Sequence, residues 1–182
     1  MYPNNKIMPS QILAYLRKAH DRLARWPRAN FCIALAVGNF VLVVLFAIPI
    51  AIYVGSTYPN RVVPFHTVWD SEWWMYFLDS VIMAPLIETL LIQVLFIELA
   101  LRWRLSLRYQ YALSVVPFFL PHALRAFPYG VISGICMGFS LAYCYLRWRK
   151  HSRRSAFWST VTTHALYNAL VMASLTASIT IG

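Results

Sequence analysis

The chain has 182 residues, of which 60% are hydrophobic and only 12% are charged, and its mean hydropathy is +0.57. Soluble domains are nearer half apolar and a quarter charged, so this composition excludes an ordinary soluble domain and indicates a membrane protein with several spans. The formal net charge of +10 could indicate nucleic-acid binding, but the distribution of the basic residues favours a signal for membrane topology.

The N-terminal segment, residues 1–30, has no apolar run long enough to cross a membrane. Between Ser10 and Trp26, leucine and isoleucine alternate with arginine and lysine. This pattern is typical of a helix that lies on the inner membrane surface, although an ordinary solvated segment has a similar composition. We therefore predict a cytoplasmic amphipathic segment at 1–30, followed by a transmembrane domain at 31–182.

Five apolar runs follow, and they predict an all-α, polytopic membrane bundle of about five transmembrane helices. A helix needs about 20 apolar residues to cross the hydrocarbon layer, and the third and fourth runs are close to the lower limit. All seven tryptophans lie at or near the ends of runs, where indole rings prefer the headgroup layer. The runs are 31–54, 73–101, 109–124, 129–146 and 158–181.

The basic residues are concentrated on alternate sides of the predicted spans. Fourteen of the 16 Lys and Arg residues lie in the N-terminal segment, the second loop and the fourth loop. The first and third loops carry one each, Arg61 and Arg125. Because cytoplasmic loops carry the excess of Lys and Arg, we expect a multi-pass protein of the cell membrane with its N-terminus in the cytoplasm and its C-terminus outside.

Two local spacings predict contacts between or along the helices. The fourth run has a small residue at every fourth position, which forms a ridge against which another helix can pack closely. This glycine ridge consists of Gly130, Gly134, Gly138 and Ala142. In the second run, Glu98 and Arg102 have the i,i+4 spacing of a helical ion pair.

Few polar side chains interrupt the apolar runs. Glu88 lies in the second run, His122 ends the third, and His164 and Asn168 lie one helical turn apart in the fifth. An ionisable group inside a bilayer is costly, so it usually faces the protein interior or a wet cavity and indicates a functional site. A carboxylate, two imidazoles and an amide could together activate a water molecule and stabilise a developing negative charge, which favours a hydrolase.

Prolines accompany two of these polar residues. Pro85 precedes Glu88 by three residues, and Pro117 and Pro121 lie just before His122. Proline removes a backbone donor, and irregular backbone at membrane depth is tolerated only inside the protein or beside a water-filled cavity. The sequence therefore predicts a wet pocket near both residues.

Other interpretations of the same residues remain open. A single histidine or asparagine in a span often makes only a hydrogen bond between helices. Alternatively, Glu88, His122 and His164 would form the two-histidine, one-carboxylate set of a metal-dependent membrane hydrolase.

Three short motifs occur in the chain in a characteristic order: Glu88–Gln93, Phe118-x-x-x-His122 and His164-x-x-x-Asn168. They resemble the CAAX prenyl protease and bacteriocin-processing family of intramembrane glutamic proteases. That family carries Glu-Glu-x-x-x-Arg, then Phe-x-x-x-His, then His-x-x-x-Asn or His-x-x-x-Asp. The resemblance covers about residues 84–170, which we take as a protease-like core.

The resemblance implies an intramembrane endopeptidase that uses no metal or other cofactor. Glu88 and His122 would activate the attacking water, and His164 and Asn168 would stabilise the oxyanion, with Phe118 in a supporting role. Eukaryotic members cut prenylated C-termini, whereas prokaryotic members process peptides or confer immunity to them. The expected partner is therefore a membrane-associated peptide or the C-terminal segment of a membrane-associated protein, and not a nucleic acid.

The chain departs from the family pattern at two supporting positions. Thr89 and Gln93 replace the second Glu and the Arg, which would be a helical ion pair. A neutral pair leaves the net charge unchanged and avoids a single unpaired buried ion. The alternative to an active protease is a catalytically inactive immunity or scaffold protein that binds a peptide in the same cavity.

Overall fold

The structure, a computed structural model, describes residues 26–57 and 73–180, together with residues 14 and 18. Within these residues the chain forms five helices and no strand, so the predicted all-α class is confirmed. The proposed amphipathic segment at 1–30 lies almost entirely outside the described residues. The helices are α1 (Arg28–Thr57), α2 (Trp73–Arg102), α3 (Leu107–Arg125), α4 (Tyr129–Arg149) and α5 (Arg153–Thr180).

Three helices of the described part of the chain are long and apolar enough to cross a membrane: Arg28–Ile50 within α1, all of α2 and all of α4. Membrane localisation is therefore supported, while the total of five spans remains a prediction. The remaining two helices, α3 and α5, carry more polar side chains, several of which are buried in the bundle. These are Ser114, Ser159, Thr160, Thr163 and His164.

Helix α4 packs against both α3 and α5, and its buried residues form much of the core. Leu141, Ala142, Cys144 and Tyr145 are all 0% exposed. The glycine ridge of α4 lies directly on α3, as its spacing predicts. A β-carbon at Gly134 would lie 3.0 Å from the α-carbon of Phe119 and 3.2 Å from the β-carbon of His122.

The contact is closest at the first glycine of the ridge. A β-carbon at Gly130 would overlap the carbonyl oxygen of His122, and one at Gly138 would lie 3.3 Å from the α-carbon of Val115. The absence of side chains at these three glycines is therefore what allows α3 to approach α4. Because His122 lies at this contact, the packing of the two helices sets the position of its imidazole.

The acidic residue near the end of α2 connects three helices. The Glu98 carboxylate accepts hydrogen bonds from Tyr145 Oη, at 2.9 Å, and from the Arg149 guanidinium. Arg153 Nε of α5 lies 3.0 Å from Glu98 Oε2. The predicted pairing of Glu98 with Arg102 is wrong, because the guanidinium groups of α4 and α5 occupy the carboxylate instead.

Helix α1 is attached to the rest of the bundle by polar contacts as well as by packing. Ser140 Oγ donates to Asn39 Oδ1 at 3.0 Å, and the Cys32 thiol donates to the Ser159 carbonyl oxygen at 3.4 Å. Asn39 and Cys32 are 4% and 1% exposed. These contacts hold α1 against α4 and α5 and thereby fix it beside the site described below.

We expect Gly134→Ala to destabilise the protein, because the added methyl group must push α3 away from α4. Overpacking of this kind costs about 1–3 kcal/mol of unfolding free energy. Gly38→Ala is the matched control, since nothing lies within 4 Å of a β-carbon there. Thermal unfolding in detergent micelles should show a lower midpoint for Gly134→Ala only, and equal midpoints would contradict the ridge contact.

The charge distribution predicts that the 55–72 loop is outside and the 147–154 loop is cytoplasmic. In intact cells, a membrane-impermeant thiol reagent should label His66→Cys at once. His151→Cys should be labelled only after the membrane is permeabilised, and the unsubstituted protein provides the background. Labelling of both variants from the same side would overturn the topology.

Candidate active site

Helix α2 is irregular on both sides of Glu88. Its short α-helical turn Ala84–Glu88 lies between two π-helical turns, Leu78–Met83 and Thr89–Val94. π-Turns inside helices are rare and are frequent at functional sites. The first of them ends at Met83, and the α-helical turn that follows begins at Ala84 and contains Pro85, so the helix changes its winding at this proline without being interrupted.

The Glu88 carboxylate lies next to the imidazole of His164. Glu88 Oε2 is 3.7 Å from His164 Nε2, and the two side chains are 27% and 3% exposed. Within the described residues, Glu88 Oε2 and His164 Nδ1 are buried and have no hydrogen-bond partner. Buried polar atoms are normally paired, so these two atoms are available to a water molecule or a substrate.

His122 is held in a defined orientation by the helix that carries it. Its Nδ1 atom lies 2.8 Å from the Phe118 carbonyl oxygen. Because a carbonyl oxygen can only accept, Nδ1 carries the hydrogen, and Nε2 of the neutral ring is left with a lone pair. His122 also interacts electrostatically with the Glu88 carboxylate.

Phe118 lies between the two imidazoles. Its ring stacks on His122, with centroids 4.5 Å apart, and meets His164 edge to face, with centroids 5.5 Å apart. Phe118 is 1% exposed. A buried apolar ring in this position limits the movement of both histidines, and the supporting role of Phe118 stays a prediction.

A cavity of about 300 Å³ brings His122, His164 and Asn168 together. Helix α1 contributes an apolar wall to this cavity, consisting of Phe40, Val43, Val44 and Ala47. The sequence analysis missed this wall, because these four residues do not differ in type from the other apolar residues of the first run. Only the packing of α1 on the bundle identifies them.

Asn168 lies one turn after His164 on α5, and its amide is already engaged. The Nδ2 group donates to the backbone carbonyl oxygen of Ser80 in α2, at 2.7 Å. An amide nitrogen has two hydrogens, so one remains for another acceptor in the cavity. Ser80 also contributes to the site, and the sequence motifs do not reveal it. Its backbone carbonyl, and not its side chain, makes the contact with Asn168.

Thr89 and Gln93 lie apart from the cavity, in the second π-turn of α2. Both are 0% exposed. In the described part of the chain, Thr89 Oγ1 and both polar atoms of the Gln93 amide have no hydrogen-bond partner. The structure therefore buries the two neutral residues at the positions of the family's ion pair and does not hydrogen-bond them to each other.

The four residues proposed as catalytic thus converge from three helices, although their roles remain predictions. Among the described residues, no three His, Cys, Asp or Glu side chains are close enough together to hold a metal ion. Glu88, His122 and His164 consequently do not form a ready-made metal site in this arrangement.

The fold and the cluster together define a class: an α-helical membrane protein with a carboxylate, two imidazoles and an amide at an internal site. The comparison with known protein families gives a more specific identification. The family model of the type II CAAX prenyl endopeptidases, described as Rce1-like, matches residues 69–170, and the chain belongs to this family. No curated protein and no solved structure matches the chain. Membership confirms the resemblance seen in the motif order and supports a membrane endopeptidase in general.

If Thr89 and Gln93 replace an ion pair, their substitutions should be coupled. Thr89→Glu alone adds a second carboxylate beside Glu88, and Gln93→Arg alone buries an unpaired cation, so each should reduce stability or activity. The double variant should recover most of both losses because the two charges can pair. In a double-mutant cycle we expect a favourable coupling greater than about 0.5 kcal/mol. Strictly additive losses would mean that the two side chains do not meet.

Proposed function

We propose that the protein is an intramembrane glutamic-type endopeptidase that cleaves a membrane-associated peptide or the C-terminal segment of a membrane-associated protein. One observation carries the proposal: Glu88 Oε2 lies 3.7 Å from His164 Nε2, and His164 lines one cavity with His122 and Asn168. Family membership supports the endopeptidase activity, and the convergence of these groups supports the mechanism.

In the proposed first step, Glu88 and His122 bind one water molecule. The Glu88 carboxylate removes a proton as the water oxygen attacks the carbonyl carbon of the scissile peptide bond. The lone pair on His122 Nε2 accepts the second hydrogen of the same water and thereby orients it. The proton taken by Glu88 then passes to the leaving nitrogen as the carbon–nitrogen bond breaks.

Asn168 and His164 would stabilise the negative charge that develops on the substrate carbonyl oxygen. Preorganised donors at this position are worth more inside a site that excludes water than in bulk solvent. The amide of Asn168 is preorganised by its bond to Ser80, and the ring of His164 is fixed by its burial and by Phe118. Neither group has to reorganise when the charge appears.

The proposed substrate is matched to the lining of the cavity. The cavity combines apolar residues of α1 with polar groups of α3 and α5, a combination suited to a substrate that has apolar side chains and presents a peptide bond. The matching family is described as type II CAAX prenyl endopeptidases. A farnesylated peptide with a CAAX C-terminus is therefore the first probe to use.

A second function is favoured by a specific observation. The family's ion pair is replaced by Thr89 and Gln93, which is compatible with a protein that binds a peptide in the cavity without cleaving it. Such an immunity or scaffold protein would keep its binding when Glu88 is neutralised. The experiment below separates the two functions.

We expect Glu88→Gln and His122→Ala to abolish cleavage of the farnesylated peptide while the protein still folds and inserts. Asn168→Ala should retain a low rate, because loss of one oxyanion donor typically lowers kcat about 10²–10³-fold. His151→Ala is the control, since this histidine is exposed and outside the cavity. Released C-terminal fragments are measured by mass spectrometry with protein in nanodiscs. Full activity in Glu88→Gln would refute the mechanism, and peptide binding without cleavage in the unsubstituted protein would favour the scaffold.

The same assay tests whether a metal is needed. We expect cleavage to be unchanged by chelators and the purified protein to lack stoichiometric zinc or iron, because the proposed mechanism uses Glu88 and His122 directly. Activity that is lost on chelation and restored by one metal ion would favour the metal-dependent hydrolase instead.

A further inference from the structure

The backbone carbonyl of Ser80 has no helical donor. In α2 the N–H of Ala84, which an α-helix would direct to Ser80, donates instead to the Asp79 carbonyl oxygen. The next candidate, in the spacing of a π-turn, is residue 85. That residue is a proline and has no N–H. The π-turn and the proline together leave the Ser80 oxygen unpaired by its own helix.

Inside a membrane an unpaired carbonyl costs several kcal/mol unless another group pairs with it. The amide of Asn168, on α5, supplies the hydrogen bond at 2.7 Å. Without an anchor, the terminal torsion of an asparagine side chain is broad. The bond to Ser80 fixes the amide plane, and with it the direction of the second Nδ2 hydrogen.

We propose that Pro85 is a positioning residue for catalysis. By denying Ser80 a backbone donor, it creates the acceptor that holds Asn168, so that the second amide hydrogen is presented to the oxyanion. The proposal rests on the proposed function only in that it assigns the second amide hydrogen of Asn168 to the oxyanion. The anchoring of Asn168 by a carbonyl that Pro85 leaves unpaired is a property of the resting protein.

Burial agrees with this role. Pro85 is fully buried, and the turns on both of its sides pack against α5. An ordinary packing role for Pro85 would affect stability but would not act through Asn168. The two roles therefore differ in a measurable way, because only the positioning role requires the effect of Pro85 to vanish when Asn168 is absent.

The first test measures the Asn168 amide directly. With ¹⁵N-asparagine in detergent micelles, its side-chain signals are identified by their loss in Asn168→Ala. In the unsubstituted protein, one of the two Nδ2 hydrogens should exchange with water much more slowly than the other. Equal, fast exchange of both would overturn the proposal.

The second test uses two substitutions that restore an N–H at position 85. In Pro85→Ala and Pro85→Ser the slow hydrogen of Asn168 should lose its protection, since Ser80 gains a backbone partner. Pro49→Ala is the matched control, because Pro49 also lies inside a helix but is exposed and does not line the cavity. Unchanged protection in both position-85 variants would refute the link.

The third test is kinetic and uses the farnesylated peptide. Pro85→Ala should lower kcat roughly ten-fold, a part of the loss expected for an oxyanion donor, with KM unchanged. In the Asn168→Ala background it should lower kcat no further. An equal loss in both backgrounds would assign Pro85 a packing role. If the peptide is not cleaved at all, or Glu88→Gln cleaves it normally, the proposed function fails, while the exchange measurements still decide the anchoring.

Discussion

Polar groups inside a bilayer have no water to pair with, and this constraint organises the interior of the bundle. It explains why the amide of Asn168 reaches across to the carbonyl of Ser80 and why Asn39 accepts a hydrogen bond from the neighbouring helix. Among the described residues, several buried polar side-chain atoms nevertheless have no hydrogen-bond partner, and Glu88 Oε2 and His164 Nδ1 are two of them. Glu88 Oε2 lies 3.7 Å from the other ring nitrogen, His164 Nε2, so an unpaired carboxylate oxygen stands beside the imidazole.

The family match and the cavity cover different parts of the chain. The match spans residues 69–170 and so does not include α1, yet α1 provides an apolar wall of the cavity, from Phe40 to Ala47. Polar contacts at Cys32 and Asn39 hold that helix in place. Under the proposed function, the groups that perform the chemistry lie within the matched region, and part of the surface that meets the substrate lies outside it.

The sequence predicts the helical class, the close packing at the glycine ridge and the set of residues that converge at the site, because helical spacing and the cost of buried charge act locally. It does not predict contacts that depend on how the helices are arranged. Glu98 pairs with Arg149 of another helix and not with Arg102, its neighbour in sequence. The contribution of Ser80 cannot be predicted from the sequence either. It comes from a backbone carbonyl that a π-turn and a proline leave without a helical donor, and every residue has such a carbonyl.

The residues at positions 89 and 93 are neutral, although in the described part of the chain their own polar side-chain atoms have no hydrogen-bond partner. Thr89 and Gln93 are fully buried, and burying a hydroxyl and an amide costs less desolvation than burying a carboxylate and a guanidinium. With Gln93 in place of an arginine on its own helix, Glu88 interacts electrostatically with two residues of α3, the imidazole of His122 and the guanidinium of Arg125. The electrostatic environment of Glu88 therefore depends on the placement of α3, which is set by the glycine ridge. Packing between α3 and α4 consequently acts on the proposed general base through charge as well as through the position of the imidazole.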